Sequence, residues 1–317
     1  MRPFLWLGWG GLLLLVGCGW TKPDATASPS HLRSIGVIAT PTAPASPSPE
    51  DPRSQKLEAV REVLDKAAQD FPGKAALVFY DLELGQTIAV HGDEQFEAAS
   101  LIKIPILVEL YRQIETGELS IDEEMVYEER FRVEGSGLLK DEEAGGKYKL
   151  TELARLMVQE SDNVATDMLI ERLGMDKINQ EMGLLGLTHT VLARRIYDFK
   201  EIDRGHDNLT TANDVALLFR ELGEGRLPGS TAMHQILEGQ KRNDMLPAKL
   251  PKGTRVAHKT GELLRVLHDA GLIYTDHGSY VLVLLGQGFE HPDEVQKFWA
   301  DVSAEVHEAY MAGRSTQ

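Results

Sequence analysis

The chain has 317 residues, of which 42% are hydrophobic and 26% charged, and its formal net charge is −16. That size and apolar content allow one or two domains with a substantial core. The acidic balance excludes nucleic acid as a partner and gives no basic patch for a membrane surface. A single cysteine, Cys18, excludes an internal disulfide and any cysteine-cluster metal site.

The N-terminus reads as a targeting segment. Arg2 begins a short charged region, and Pro3 to Gly17 is apolar but too short for a membrane span. It ends Leu15-Val16-Gly17-Cys18, small residues before a cysteine. This string resembles the bacterial lipobox, which signal peptidase II cuts before a diacylated cysteine. The alternative is an ordinary signal peptide with an incidental Cys18. Residues 18–52 are rich in Thr, Ala, Ser and Pro, including Thr40-Pro-Thr-Ala-Pro-Ala-Ser-Pro-Ser-Pro49, and cannot bury a core. The expected organisation is therefore a signal peptide over 1–17, a lipidated Cys18 with a tether to 52, and a folded part over 53–317. The protein is expected to be exported and lipid-anchored, with its folded part outside the cytoplasm.

Gln55 to Asp70 has apolar residues at helical spacing (Leu57, Val60, Val63, Leu64, Ala67) and is stopped by Pro72-Gly73. Ala75 to Leu82 and Thr87 to Val90 read as a hairpin. Leu101 to Ile114 is apolar nearly all round, so it predicts a buried central helix. Pro105 is early enough to be tolerated. Leu150–Glu160, Val164–Leu173 and Ala212–Leu222 predict further helices, the last capped by Thr210 or Thr211. Arg255–Lys259, Ala270–Tyr274 and Ser279–Leu285 are β-rich, with Asp276-His277-Gly278 as the turn between the last two. Val295–Met311 closes the chain as a helix. The pattern predicts an α/β (α+β) fold: a mainly antiparallel sheet built from both ends, flanked by N- and C-terminal helices, with an all-helical insertion over about 100–222. The cleft between sheet and insertion is the expected site.

Three strings carry the chemistry: Ser100-Leu101-Ile102-Lys103, Ser161-Asp162-Asn163 and Lys259-Thr260-Gly261. Ser100 precedes the buried helix, where free N–H groups and the helix dipole favour an oxyanion. Lys103 is one turn on and has isoleucine neighbours. Desolvation disfavours its ammonium form, so it can act as a neutral base for a serine nucleophile. Ser161 can relay a proton, Asn163 can bond a substrate amide, and Asp162 or Asn163 caps the next helix. Lys259 and Thr260 alternate across a strand, so both serve a site only if that strand is an edge bordering the cleft. They would then hold a carboxylate. Gly261 lets substrate approach the backbone, and the N–H of Glu262 with that of Ser100 makes an oxyanion hole. Each string alone has a plain explanation as a cap, a snorkelling lysine or a turn.

Together and in this order, the three strings resemble the class A β-lactamase and penicillin-binding-protein superfamily over about Ser54 to Gly313. The resemblance implies that Ser100 is acylated, with Lys103 its base partner and Ser161 the proton relay. It makes Asn163 a substrate contact and Lys259 and Thr260 the carboxylate anchor. The implied substrates are a β-lactam or a peptidoglycan peptide, taken by a monomer without cofactor or metal.

One part of the pattern is missing. Class A β-lactamases carry a water-activating glutamate in an omega loop, within Glu-x-x-Leu-Asn. The corresponding stretch, Leu192 to Thr211, has no such string. Taking Arg194 or Arg195 with Asp207 as the loop's bracing pair, alignment on Arg194 puts Ile196 at the glutamate position. Asp198 is then the expected base, with Glu201 second. Without a base the enzyme would acylate and stall, as a penicillin-binding protein does. A DD-peptidase or other serine acyl-hydrolase is therefore the second reading, and a non-catalytic cell-wall-binding lipoprotein the third. The Gly135-Ser136-Gly137 segment is expected as a flexible loop near the cleft. The ten histidines are scattered, with no His-Glu-x-x-His string.

Overall fold

The computed structural model describes residues 52–276 and 278–312. The expected targeting segment, Cys18, the expected tether up to residue 51 and His277 lie outside them.

Helix α1 (Pro52–Asp70) buries Val60, Leu64 and Ala67 along one stripe. Strands β1 (Lys74–Asp81) and β2 (Gln86–Val90) follow as an antiparallel pair. In β1 every residue after Lys74 is buried, because the strand faces a core on each side. Ala76, Val78 and Tyr80 join one core, and Ala75, Leu77 and Phe79 the other. A strand's two-residue period makes that division.

Strand β3 (Gln95–Glu97) leads into a 3-10 turn at Ala99–Ile102 and then α2 (Lys103–Glu115). Helix α2 is buried on nearly every side, and its Pro105 falls in the first turn, where no N–H is needed. Strands β4 (Glu124–Val126) and β5 (Lys147–Lys149) pair next. Helices α3 (Leu150–Gln159), α4 (Asn163–Leu173), α5 (Met175–Leu184) and α6 (Phe199–Asp203) come after them. Strand β6 (Leu209–Thr211) pairs with β3. Helices α7 (Ala212–Gly223) and α8 (Ser230–Glu238) complete the insertion. The Thr211 side chain caps α7 by accepting from Asp214 N–H. The insertion thus runs on to Glu238 rather than ending near 222. Helices α5 and α8 bury only short stripes, Ile178 with Met182 and Met233 with Ile236 and Leu237, which leaves little periodicity to read.

Strands β7 (Arg255–Leu263), β8 (Val266–Thr275) and β9 (Gly278–Gln287) complete an antiparallel sheet of order β2-β1-β9-β8-β7. Strand β7 is an edge, and Lys259-Thr260-Gly261 lies inside it, because pairing with β8 continues to Leu263 opposite Val266. Helix α9 (Pro292–Ala312) packs beside α1 on the far face, where Phe71 stacks on Trp299 at 4.7 Å. The insertion covers the other face. This is the mixed α/β architecture expected, an antiparallel sheet between terminal helices and a helical insertion.

Candidate active site

Ser100 sits on the 3-10 turn rather than on a helix proper. The first bond of that turn runs from Leu101 N–H to Ala98 O, so the Ser100 N–H precedes the bonded ladder. Ala99 before it has φ +46°, a left-handed value that turns the serine out of line with β3. The turn is tied to the sheet from behind. His268 Nε2 donates to Glu97 O at 2.9 Å, and its Nδ1 accepts from Gly286 N–H at 3.1 Å. Those partners fix the tautomer, and burial holds the ring near pKa 4, so it stays neutral. The missing side chain of Gly261 also serves this turn. A Cβ there would lie 3.2 Å from Ala99 Cβ and 3.4 Å from Leu101 Cγ. The glycine thus admits the serine-bearing turn against β7.

Ser161 lies between α3 and α4 with φ +53°. Its Oγ is 2.9 Å from Ser100 Oγ, 3.1 Å from Lys103 Nζ and 3.1 Å from Lys259 Nζ. Lys103 also donates to Ser161 O at 2.7 Å and Asn163 Oδ1 at 2.9 Å. Among the described residues no hydrogen bond joins Lys103 to Ser100, so the serine reaches this lysine through Ser161. Burial, with the neighbouring Lys259, pushes Lys103 well below the ordinary lysine range. A neutral Lys103 gives two protons to Ser161 O and Asn163 Oδ1, which can only accept. Its lone pair is then left for the Ser161 hydroxyl. Lys259 is also fully buried and is lowered to about 7, chiefly by burial and also by Arg242. Its other hydrogen bond goes to Thr260 O at 2.9 Å.

The remaining expected residues separate into two groups. Thr260 and Glu262 line the cleft. Lys259 does not; it is sealed behind them, so its charge acts on Ser161 rather than directly on a substrate carboxylate. The cations on the cleft wall are Lys241 and Arg242, with Arg242 held by Asp244 and Glu262. Asn163 spends its Oδ1 on Lys103 and its Nδ2 on Glu134 O at 3.0 Å, which makes it a brace as well as a wall. Asp162 caps α4 through Ala165 N–H at 2.9 Å. Its other oxygen accepts from Leu138 N–H at 2.7 Å and Leu139 N–H at 2.9 Å. A Cβ on Gly137 would fall 2.4 Å from the Asp162 carboxyl carbon. The 135–137 segment is therefore pinned against Asp162, not slack, and Ser136 is presented to the cleft.

Asp198 and Glu201 are not at the site. Asp198 caps α6 by accepting from Glu201 N–H at 3.3 Å. Glu201 pairs with Arg204 and His206. Neither lines the cleft, where this stretch of chain contributes Ile196, Tyr197, Phe199 and Ile202 instead, although Tyr197 and Phe199 also remain exposed to solvent. Arg194, not Arg195, pairs with Asp207, at 2.7 Å. Arg195 goes to Glu171. Asp167, one turn after Asn163, accepts from Ile196 N–H at 3.0 Å, and burial raises it to about 6. Arg242 and Asp167 were not singled out from sequence, and Ser136 only as part of a loop expected near the cleft; only the spacing of Asp167 from Asn163 offered a signal.

Ser100 opens onto two cavities. One, of about 510 Å³, is polar and lined by Ser136, Glu160, Ser161, Arg242 and Thr260. The other, of about 260 Å³, is lined by Glu97, Ile196, Tyr197, Phe199, Ile202 and Leu264. Among the described residues no cluster of His, Cys, Asp and Glu is arranged to hold a metal ion.

Comparison with known proteins agrees with this geometry. The Beta-lactamase enzyme family model matches residues 58–310. Beta-lactamase 3 of Bacillus cereus is 28% identical over 206 residues, 62% of this chain and 63% of that protein, so the match spans less than two thirds of that relative. A Bacillus licheniformis beta-lactamase is 24% identical over 239 residues, 73% of this chain and 76% of that protein. Among solved structures, a beta-lactamase from Sphaerobacter thermophilus superposes with TM-score 0.73 at 27% identity, covering 80% of this chain and 97% of that one. PBP-A superposes with TM-score 0.73 at 30% identity, covering 80% and 96%. With the family model spanning nearly all the described residues, this chain belongs to the beta-lactamase enzyme family.

Proposed function

We propose that this protein is a serine β-lactamase of the class A type, hydrolysing the β-lactam amide through an acyl-enzyme on Ser100. The observation that carries this reading is the hydrogen-bonded path from Ser100 Oγ through Ser161 Oγ to Lys103 Nζ, at 2.9 and 3.1 Å. Ser100 Oγ attacks the amide carbon as its proton passes through Ser161 to neutral Lys103. The developing oxyanion meets the Ser100 N–H, with that of Glu262 as the second donor. The proton returns through Ser161 to the departing nitrogen. Thr260, Arg242 and Lys241 supply the contacts for a substrate carboxylate in the polar cavity. All these groups come from one chain, so a monomer is sufficient.

A second reading is favoured by Ile196, Phe199 and Ile202, the apolar residues that the 196–202 stretch gives to the smaller cavity where the family pattern has a glutamate. On this reading the acyl-enzyme persists and the protein is a penicillin-binding peptidase. Incubation of the purified protein with a chromogenic cephalosporin, followed by colour and intact mass, separates the two. Steady turnover supports the lactamase, and one burst with a lasting adduct the second reading. The absence of any adduct or colour removes the nucleophile role from Ser100.

We further propose that Cys18 is lipidated after cleavage at Gly17 and anchors the protein outside the cytoplasm. The sole cysteine at the end of the Leu-Val-Gly string supports this. Incorporation of labelled palmitate into wild type but not Cys18→Ala is the expected result.

A further inference from the structure

Hydrolysis needs a base for the deacylating water, and the residues expected to supply it, Asp198 and Glu201, face away from Ser100. Three carboxylates line the smaller cavity with Ser100: Glu97, Asp207 and Glu262. Asp207 is held by Arg194 at 2.7 Å, and Glu262 is held by Arg242. Glu97 is different. Its Oε1 accepts from Gln287 Nε2 at 3.2 Å, while among the described residues no hydrogen bond reaches Oε2.

The two cavities also assign directions. Ser100 lines both, Ser161 lines only the polar one, and Glu97 lines only the smaller one. A nitrogen leaving toward Ser161 vacates one side of the acyl carbon. Water can then approach from the other cavity, which Glu97 lines. The strand carrying Glu97 is fixed on three counts: pairing with β6, the His268 bond to Glu97 O, and the Gln287 amide that also takes the Glu97 N–H at 3.4 Å. A carboxylate so held is positioned before substrate arrives.

We propose that Glu97 is the general base that activates the water releasing the acyl group from Ser100. The inference rests on the hydrolytic reading above. The Glu97 carboxylate takes a proton from water as the water oxygen bonds the acyl carbon. The bond from that carbon to Ser100 Oγ then breaks, and the proton on Glu97 passes to Ser100 Oγ. The products are a free carboxylic acid and the original serine. Burial, and the Asp207 charge beside it, raise Glu97 above the usual carboxylate range, while Arg194 opposes them. The raised value makes Glu97 a stronger base. Two further titratable groups lie against this strand: His268, which is neutral, and Lys74, which donates to Gln95 O at 2.6 Å and pairs with Glu94.

The test is the full-length Glu97→Gln protein mixed with penicillin G and with a chromogenic cephalosporin. Acylation and decay of the adduct are followed separately by rapid-quench mass measurement. The expected result is acylation at the wild-type rate with deacylation slowed about 100-fold or more, so that the adduct accumulates. Wild-type deacylation should fall on acidification, and that limb should be absent from the variant. Unchanged deacylation in Glu97→Gln, with wild type turning over, overturns the inference and leaves the lactamase reading intact. A lasting adduct on wild type itself overturns both. Glu97→Asp covers misfolding of the first variant: with wild-type circular dichroism, slowed release supports the role and unchanged release rejects it.

Discussion

The Ser161 hydroxyl oxygen stands 2.9 Å from that of Ser100, so on the proposed reading the proton of Ser100 passes first to another serine and not directly to a lysine. Ser161→Ala breaks this path while leaving both lysines in place. Acylation by a chromogenic cephalosporin should fall about 100- to 10,000-fold. The unfolding free energy should change by about 1 kcal/mol or less, since one part-buried hydroxyl is lost. A variant that acylates at the wild-type rate would show that Lys103 reaches Ser100 directly.

The lysines set the pH behaviour. Lys103 works as a base only when neutral, and its value is lowered by burial and by Lys259. Acylation should therefore persist at pH values below the ordinary lysine range and decline on further acidification as Lys103 gains a proton. Stopped-flow acylation rates across pH check this; a rate that rises toward acid would contradict it.

Lys259 makes a stability prediction with a definite sign. Its value falls from 10.5 in the unfolded chain to about 7 in the fold. Between these values the unfolded state binds the extra proton, so the lysine costs stability that is recovered as pH rises from 7 to 10.5. Lys259→Met should raise folding stability by about 1–4 kcal/mol at pH 7, with the gain shrinking toward pH 10, and should cripple turnover. Denaturant melts at both pH values measure the difference.

Asp198→Asn and Glu201→Gln should leave deacylation unchanged within about twofold, because neither side chain lines the cleft. Asn also caps helices well, so Asp198→Asn should fold normally, whereas Asp198→Ala should cost about 0.5–1 kcal/mol. Single-turnover release rates decide the question.

Asp162→Ala removes the acceptor for Leu138, Leu139 and Ala165 N–H together. Loss of the cap and of two buried partners should destabilise by about 2–4 kcal/mol. It should also free the 135–137 segment and raise KM. Urea melts and steady-state kinetics report the two effects separately.

Much of this site was legible as sequence because its groups sit on strongly patterned elements. The run from Ile102 to Leu110 is apolar on every side, and the alternation in β7 required an edge strand for Lys259 and Thr260 to share a site; both features are present. What could not be read depends on chain segments distant in sequence. Gly261 sits against Ala99, Glu97 reaches the cavity because β3 pairs with β6, and Asp198 is taken up as the cap of α6. Lys259 is expected from sequence to hold a carboxylate in the cleft, since nothing local shows that the fold will bury it completely.

Three residues around the cleft, Ala99, Ser161 and Tyr197, hold left-handed backbone at φ +46°, +53° and +56° without being glycine. Each such conformation costs roughly 1–3 kcal/mol. Glycine at any of the three would relax the chain, and would also let the nucleophile turn, the relay or the apolar wall drift. A laboratory lineage selected for heat resistance should therefore collect changes at these positions early, and one selected for drug turnover should shun them. Their history in such a lineage would reveal which pressure had acted.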